Sequence, residues 1–251
     1  KAAVIATALD YSDGGYSGDA ARMERALHPD LNKLFFMRRN PAVGLVAGYS
    51  TYSGLIEMTR IGALNLEPEK RRTDVAVLES ADDVACVRLK SSMWCDYLQM
   101  IKDNGRWKIV NVLWTAGLDA PPARRTVADF DAGKERPAAQ AAAADYLEGM
   151  LAGDAARLEK ALHPETSQVV YLVSARSGAA IVNRTRYSGL LEPAKAKAAL
   201  APEASRTAEV RVLDLMDGLA FAAAQTARGA AYLQLQLMDG QWKVINVLVR
   251  P

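Results

Sequence analysis

The sequence predicts an α+β fold present twice in tandem. Three observations carry that prediction. Segments recur at a fixed spacing of 135 residues: GDAARMERALHP at Gly18–Pro29 returns as GDAARLEKALHP at Gly153–Pro164, YSGLIE at Tyr52–Glu57 as YSGLLE at Tyr187–Glu192, and GRWKIVNVL at Gly105–Leu113 as GQWKVINVL at Gly240–Leu248. Aligned without a gap, Lys1–Ala116 and Arg136–Pro251 are identical at 37 of 116 positions. A long fixed period signifies repeated domains, and each copy has the usual size of one. Within a copy, helical patterns come first and a run of strands follows, which is the order of an α+β domain. The expected division is a first repeat at Lys1–Gly117, a linker at 118–135 and a second repeat at Arg136–Pro251.

Each element has a local reason. In the second copy, Pro137 stands at a helix start and an alanine-rich run continues the helix to Gly153. Asp154 then caps a second helix, AARLEKAL, which stops at His163-Pro164 because the residue before proline avoids helical geometry. Gly18, Asp19 and His28-Pro29 do the same in the first copy. Two short apolar segments follow, Leu34–Met37 with Gly44–Gly48, and Val169–Val173 with Ala179–Val182, each pair reading as a hairpin. A third short helix is expected to begin at Pro193, and at Met58 in the first copy. The remainder reads as antiparallel strands at Thr73–Glu79, Val84–Ser91, Cys95–Lys102 and Trp107–Trp114, with partners 135 residues on. Asn104-Gly105 and Asp239-Gly240 are two-residue hairpin signals.

Composition narrows the function. The chain has 31 basic and 29 acidic residues, a net charge of +2, which gives no electrostatic case for nucleic acid. The basic pairs Arg38-Arg39, Arg71-Arg72 and Arg124-Arg125 are scattered and read as solvated surface. No apolar run approaches the roughly 20 residues of a membrane helix. Cys86 and Cys95 form no disulfide framework, and their strand phases differ, so they are not expected to pair. No metal-ligand cluster, phosphate-binding glycine loop or Ser-His-Asp set is evident, so neither a metal nor a cofactor is expected. The chain begins at Lys1 rather than Met, consistent with removal of a secretion signal. The expectation is a periplasmic or secreted protein, with the cytoplasm as the alternative.

The motif order resembles the nuclear transport factor 2-like superfamily, and within it the putative lumazine-binding family. The residues that carry the resemblance are Asp10, Tyr11, Gly14, Gly18, Asp19, Arg22, Ala26–Pro29, Asp96–Leu98, Gly105, Trp107 and Ile109–Trp114. In the second copy they are Asp145, Tyr146, Gly149, Gly153, Asp154, Arg157, Ala161–Pro164, Tyr232, Leu233, Gly240, Trp242 and Asn246–Leu248. That copy departs at Ala231, where the pattern has Asp, and at Val249, where it has Trp. The resemblance implies two cone-shaped domains, each with N-terminal helices on a bent antiparallel sheet. It implies a small apolar or heterocyclic ligand, and it leaves the function open among binding modules, enzymes and interaction modules.

Strand alternation then places candidate site residues. With Asn104-Gly105 as the turn, Met100 faces Ile109, Leu98 faces Asn111 and Asp96 faces Leu113. Trp94, Asp96, Leu98, Met100, Trp107, Ile109, Asn111 and Leu113 thus share the face expected to meet the helices. A carboxylate in an apolar cleft has a raised pKa and becomes usable as an acid or base near neutral pH, so Asp96 is the candidate catalytic group. Trp94, Asn111, Leu113, Tyr11 and Asp10 are the candidate ligand contacts. The structural alternatives stay open: Asp96 as a strand-end cap, Asp10 and Tyr11 as a helix–helix junction. His28 and His163 read as C-terminal helix caps. The opposite face, with Tyr97, Val110, Val112 and Trp114, is apolar enough for an interface, through which the two copies or two chains could associate sheet to sheet.

Three functions fit: a non-enzymatic small-molecule-binding or scaffold module, an isomerase, cyclase or dehydratase using Asp96, or a protein-interaction module with filled cones. Gly229 and Ala231 stand where the first copy has Trp94 and Asp96, so a site built on those groups would exist in the first copy alone.

Overall fold

The structure is a computed structural model, and it describes residues 1–37, 44–121, 130–174, 176–177, 179–198, 209–226 and 229–251. Arg38-Arg39, Arg124-Arg125 and residues 122–129 of the expected linker lie outside the described residues. The chain divides into two compact units, each built on one six-stranded sheet.

The first repeat runs α1 (Ala2–Ser17), α2 (Ala20–Ala26), β1 (Leu27–Met37), β2 (Val46–Ser50), α3 (Tyr52–Arg60), β3 (Thr73–Ser80), β4 (Val84–Ser91), β5 (Trp94–Asp103) and β6 (Arg106–Ala116). The second runs α4 (Ala132–Ala152), α5 (Ala155–Ala161), β7 (Leu162–Val173), β8 (Ala180–Arg186), α6 (Tyr187–Lys195), β9 (Glu209–Met216), β10 (Leu219–Thr226), β11 (Gly229–Met238) and β12 (Gln241–Arg250). The strand orders are β2-β1-β6-β5-β4-β3 and β8-β7-β12-β11-β10-β9. The sheets are mixed rather than purely antiparallel, because β1 runs parallel to β6 and β7 parallel to β12. Each first hairpin is joined to its sheet by that parallel seam.

Most local signals act as expected. Gly18 and Gly153 end their helices in the left-handed conformation, at φ 71° and 63°, which is strained for a residue with a Cβ. Asp19 and Asp154 cap α2 and α5 by accepting from the Arg22 and Arg157 amides at 3.1 Å. Both turns, Asn104-Gly105 and Asp239-Gly240, have two positive φ values, the type I′ geometry of tight hairpins. Gly14 and Gly149 lie at the α1–α2 and α4–α5 crossings, where an added Cβ would come within 3.0 Å of the Arg22 and Leu158 side chains.

Helix starts differ. α4 begins at Ala132, five residues before Pro137, and is capped by Asp131, whose carboxylate accepts from the Gly133 and Lys134 amides. Ala132–Glu135 of the expected linker therefore belong to a helix. Pro137 is the sixth residue of that helix, beyond the four N-terminal N–H groups that have no intrahelical partner, so the helix forgoes one amide-to-carbonyl bond there. α3 and α6 begin at Tyr52 and Tyr187, well before Met58 and Pro193. In α3 the start is set by the Thr51 hydroxyl, which accepts from the Gly54 amide. α2 and α5 end at Ala26 and Ala161, two residues ahead of His28 and His163. Each histidine Nδ1 instead accepts a local amide, from Asp30 or Glu165, at 3.1 Å. Burial pulls His163 below the usual imidazole value, so it is neutral there and does not serve as a cationic cap.

The largest departure is strand register. Asn104-Gly105 pins β5 to β6 as far as Met100↔Ile109, but the next pair is Gln99↔Asn111, leaving Val110 as an extra residue. The same bulge falls at Ile245 in β12, and a second pair falls at Leu78 and Leu213. A bulge bends a sheet and moves every residue beyond it to the opposite face. Beyond Val110, Asp96 therefore faces Trp114, Leu98 faces Val112 and Tyr97 faces Leu113. The interior face holds Asp96, Leu98, Met100, Ile109, Val112 and Trp114, and α1, α2 and α3 pack against it through Val4, Ala8, Tyr11, Met23 and Leu55. Asn111 and Leu113 move to the other face with Tyr97 and Gln99. Val112 and Trp114, expected on that other face, are interior. In the second repeat the interior pairs alanine with alanine: Ala139 and Ala143 of α4 with Ala220, Ala222, Ala224 and Ala231 of the sheet.

Candidate functional site

The parallel seam brings Lys33 of β1 opposite Val112 of β6. Both face the interior, as does Asp96, two strands across. Lys33 Nζ donates to Asp96 Oδ1 at 2.9 Å and to the Tyr11 hydroxyl at 2.6 Å. The Tyr11 hydroxyl, reaching in from α1, approaches Asp96 Oδ1 at 3.4 Å. The two charged side chains are 6% and 0% exposed. The ammonium also lies over the Tyr11 and Trp114 rings, at 5.3 and 4.9 Å from their centroids. Phe35 packs on Trp114 at 4.5 Å, which requires Gly48 on the neighbouring strand, since a Cβ there would sit 2.1 Å from the Phe35 ring. Trp94 closes one end, stacked near Tyr16 at 4.8 Å and Tyr11 at 6.4 Å.

Electrostatics follow from burial. Desolvation pushes the Asp96 carboxyl above its ordinary value, opposed by the charge and hydrogen bond of Lys33 and by the Tyr11 bond. It pulls Lys33 below the usual lysine range, opposed by Asp96. It drives Tyr11 well above a free phenol, and Asp96 adds to that shift. Three polar atoms remain without a partner although buried: Asp96 Oδ2, Trp94 Nε1 and Trp114 Nε1. They belong to neighbouring positions of one face, since Trp94 is two residues from Asp96 and Trp114 is its cross-strand partner. One acceptor and two donors thus stand unmatched beside the Lys33 ammonium and the Tyr11 hydroxyl. Burying a polar group unpaired costs about 1–3 kcal/mol, so such groups call for an explanation in water or ligand.

The sequence-predicted residues separate into two groups. Asp96, Trp94 and Tyr11 come together. Asn111 and Leu113 do not: the bulge turns them away, and Asn111 Nδ2 donates to Gln99 Oε1 at 2.7 Å on the opposite face. Asp10 also lies outside, bonded to Arg22 at 2.9 Å and Arg25 at 2.8 Å across the helix junction. Lys33 and Trp114 are site residues that strand periodicity missed. A groove of about 470 Å3 bounded by Pro137, Gln140, Ala141, Ala144 and Val210 lies in the second repeat and contains none of these groups.

The second repeat is an internal control. Tyr146 stands for Tyr11, Gln168 for Lys33, Ala231 for Asp96, Gly229 for Trp94 and Val249 for Trp114. Tyr146 donates to Gln168 Oε1 in place of the charged trio. Both charges and both indoles are gone, and the six-stranded sheet keeps its order and bulges.

Comparison with known proteins agrees with this architecture. The family model described as "Putative lumazine-binding" matches residues 1–115 and again 134–248. No curated protein matches the chain. Among solved structures, an NTF-2-like protein of unknown function from Silicibacter pomeroyi DSS-3 is similar at 18% identity and a TM-score of 0.37, over 46% of this chain and 93% of its own. One of unknown function from Shewanella baltica OS155 is similar at 16% identity and 0.36, over 45% and 89%. A CaMKII hub from S. rosetta is similar at 18% and 0.32, over 46% and 95%. Each covers about the length of one repeat. With the family model matched over residues 1–115 and again over 134–248, the chain belongs to the putative lumazine-binding family and carries it as two tandem copies.

Proposed function

We propose that the first repeat is a small-molecule-binding module and that the second has lost the site. The observation that carries this is the set of unmatched buried atoms, Asp96 Oδ2 with the Trp94 and Trp114 indole N–H groups, beside Lys33 and Tyr11. A ligand suited to them is small and cyclic, with apolar faces for the aromatic walls. Its edge carries a donor for the carboxylate and an acceptor for an indole. A lumazine-like heterocycle, as the family name suggests, has such an edge.

A thermal-shift screen of the full chain with pterins, flavins and apolar cyclic compounds tests this. A binder present at a hundred times its Kd stabilises by about 2.7 kcal/mol. Trp94→Phe and Trp114→Phe should each weaken that binder about fivefold, by deleting one N–H donor. Equal shifts in wild type and in a variant lacking both Lys33 and Asp96 would reject the site. A second reading, acid–base catalysis, draws on the same free Oδ2 and on the upward push of burial on Asp96. It requires turnover that Asp96→Asn abolishes in a protein that still folds.

A further inference from the structure

The Lys33–Asp96 pair invites a purely structural explanation, and the second repeat argues against it. There the same strands, bulges and tyrosine persist with Gln168 and Ala231, so the fold does not depend on the charges. Buried ion pairs are in any case weak stabilisers, because desolvation of both charges offsets their attraction. A buried lysine amine held against a carboxylate and a phenol, among apolar side chains, is a chemical grouping with a use of its own.

We propose that Lys33 is a carbonyl-reactive amine, and that the first repeat condenses an aldehyde or ketone of a small apolar molecule onto Nζ as a Schiff base. This rests on the reading of that interior as a ligand site. The geometry supplies each transfer. The ammonium already donates to Asp96 Oδ1 at 2.9 Å, so passing one proton along that bond gives a neutral amine and a neutral carboxylic acid. The Nζ lone pair then adds to the carbonyl carbon, forming the C–N bond while the C=O π pair moves to oxygen. That oxygen takes the proton from the Asp96 acid, with the Tyr11 hydroxyl, 2.6 Å from Nζ, within reach to relay it. Loss of the hydroxyl as water, with the second amine proton, leaves C=N. Amine and carbonyl become imine and water, with no change of oxidation state.

The surroundings favour the same chemistry. Desolvation pulls Lys33 below the usual lysine range, which enlarges the fraction of nucleophilic neutral amine, although Asp96 opposes the shift. The Trp94 and Trp114 indole N–H groups are unpartnered donors for a carbonyl oxygen on which charge develops. Once formed, the protonated imine keeps a positive charge beside Asp96 and near the Tyr11 and Trp114 ring faces. The chain does not need the lysine for its fold, so the amine can be consumed by a ligand without unfolding it.

The test uses the full chain and 2,4-pentanedione, a small apolar diketone that forms a stable conjugated enaminone with a neutral amine. The expected result is a near-ultraviolet enaminone band, a mass gain of one diketone less one water, and peptide mapping that places it on Lys33. Both signals should be lost in Lys33→Gln combined with Asp96→Ala, a variant that copies the second repeat and so should fold. Reversible quenching of tryptophan emission is followed in parallel. Quenching without an adduct on Lys33 overturns the covalent proposal and leaves the ligand site standing. An adduct confined to surface lysines, or retained in the double variant, overturns it as well. Neither quenching nor adduct overturns it too, and the ligand site then answers to the heterocycle screen alone.

Discussion

Lys33 Nζ and Asp96 Oδ1 meet at 2.9 Å inside the first repeat, and 135 residues on the same two positions are Gln168 and Ala231. The charges are lost together, not one at a time. That pattern follows from electrostatics: removing one member of a buried pair strands the other charge, whereas removing both leaves only packing to repair. Asp96→Ala alone is expected to cost about 3–5 kcal/mol. The double variant Lys33→Gln/Asp96→Ala should cost less than either single change. Urea denaturation of the three variants measures this.

The pair also sets a pH signature. Burial raises Asp96 above its ordinary 3.8, so between that value and its folded value the native state holds more protons than the unfolded chain, and stability falls as pH rises. Burial lowers Lys33 from its ordinary 10.5, so just below 10.5 the unfolded chain holds more protons, and stability is recovered as pH rises toward it. The stability of wild type minus that of the double variant should therefore be lowest in the neutral range and climb toward both ends. A flat difference from pH 4 to 10 would show that the pair does not titrate differently on folding.

The transplant in the other direction is asymmetric. Ala231 is only 4% exposed and lies among alanines and leucines. Ala231→Asp should destabilise the second repeat by several kcal/mol, because no cation faces the new carboxylate. Adding Gln168→Lys should restore part of that loss. Melting temperatures of the single and double variants decide it.

Outside the interior, Asp10 holds α1 to α2. Burial pushes its carboxyl up, but the hydrogen bonds from Arg25 and Arg22 outweigh this and hold it below 3.8. Its stabilisation is therefore present above 3.8 and lost as pH falls through the lower folded value. The groups are partly exposed, so solvent screens them, and Asp10→Asn should cost about 0.5–1 kcal/mol. Asp145 with Arg157 and Lys160 should behave alike, and Asp10→Asn should leave ligand binding unchanged. Acid titration of Asp10→Asn and Asp145→Asn checks the pair.

The bulge makes its own prediction. Asn111→Ala should cost about 1–3 kcal/mol, by removing the Nδ2 donor to the buried Gln99 Oε1, and leave any ligand shift intact. Loss of ligand binding in that variant would return Asn111 to the interior and contradict the observed register.

Much of this architecture was legible because the sequence is written twice. The glycine ends of α1 and α4, the aspartate caps and the Asn104-Gly105 turn each rest on contacts within a few residues, and those survive reading in one dimension. The bulge at Val110 does not: Ile109-Val110-Asn111-Val112-Leu113 carries no glycine or proline to mark it, and only the strand pairing reveals the extra residue. Lys33 was hidden for another reason. The stretch of sequence from Leu31 to Ser50 shares no identical position with the second repeat, so a coordinated change there looks like drift. The discriminating sign was available at Trp94, Asp96 and Trp114, which change while their neighbours Tyr97–Gln99 and Asn111–Leu113 are kept.

The claim that unites these points is that the charged interior of the first repeat serves a ligand rather than the fold. Lys33→Gln/Asp96→Ala tests it most directly, with its unfolding free energy and its ligand-induced thermal shift measured side by side. The account predicts stability within about 2 kcal/mol of wild type, as the second repeat implies, and loss of the shift that wild type shows. A double variant that loses about 3–5 kcal/mol, like a single one, while its ligand shift persists would contradict it.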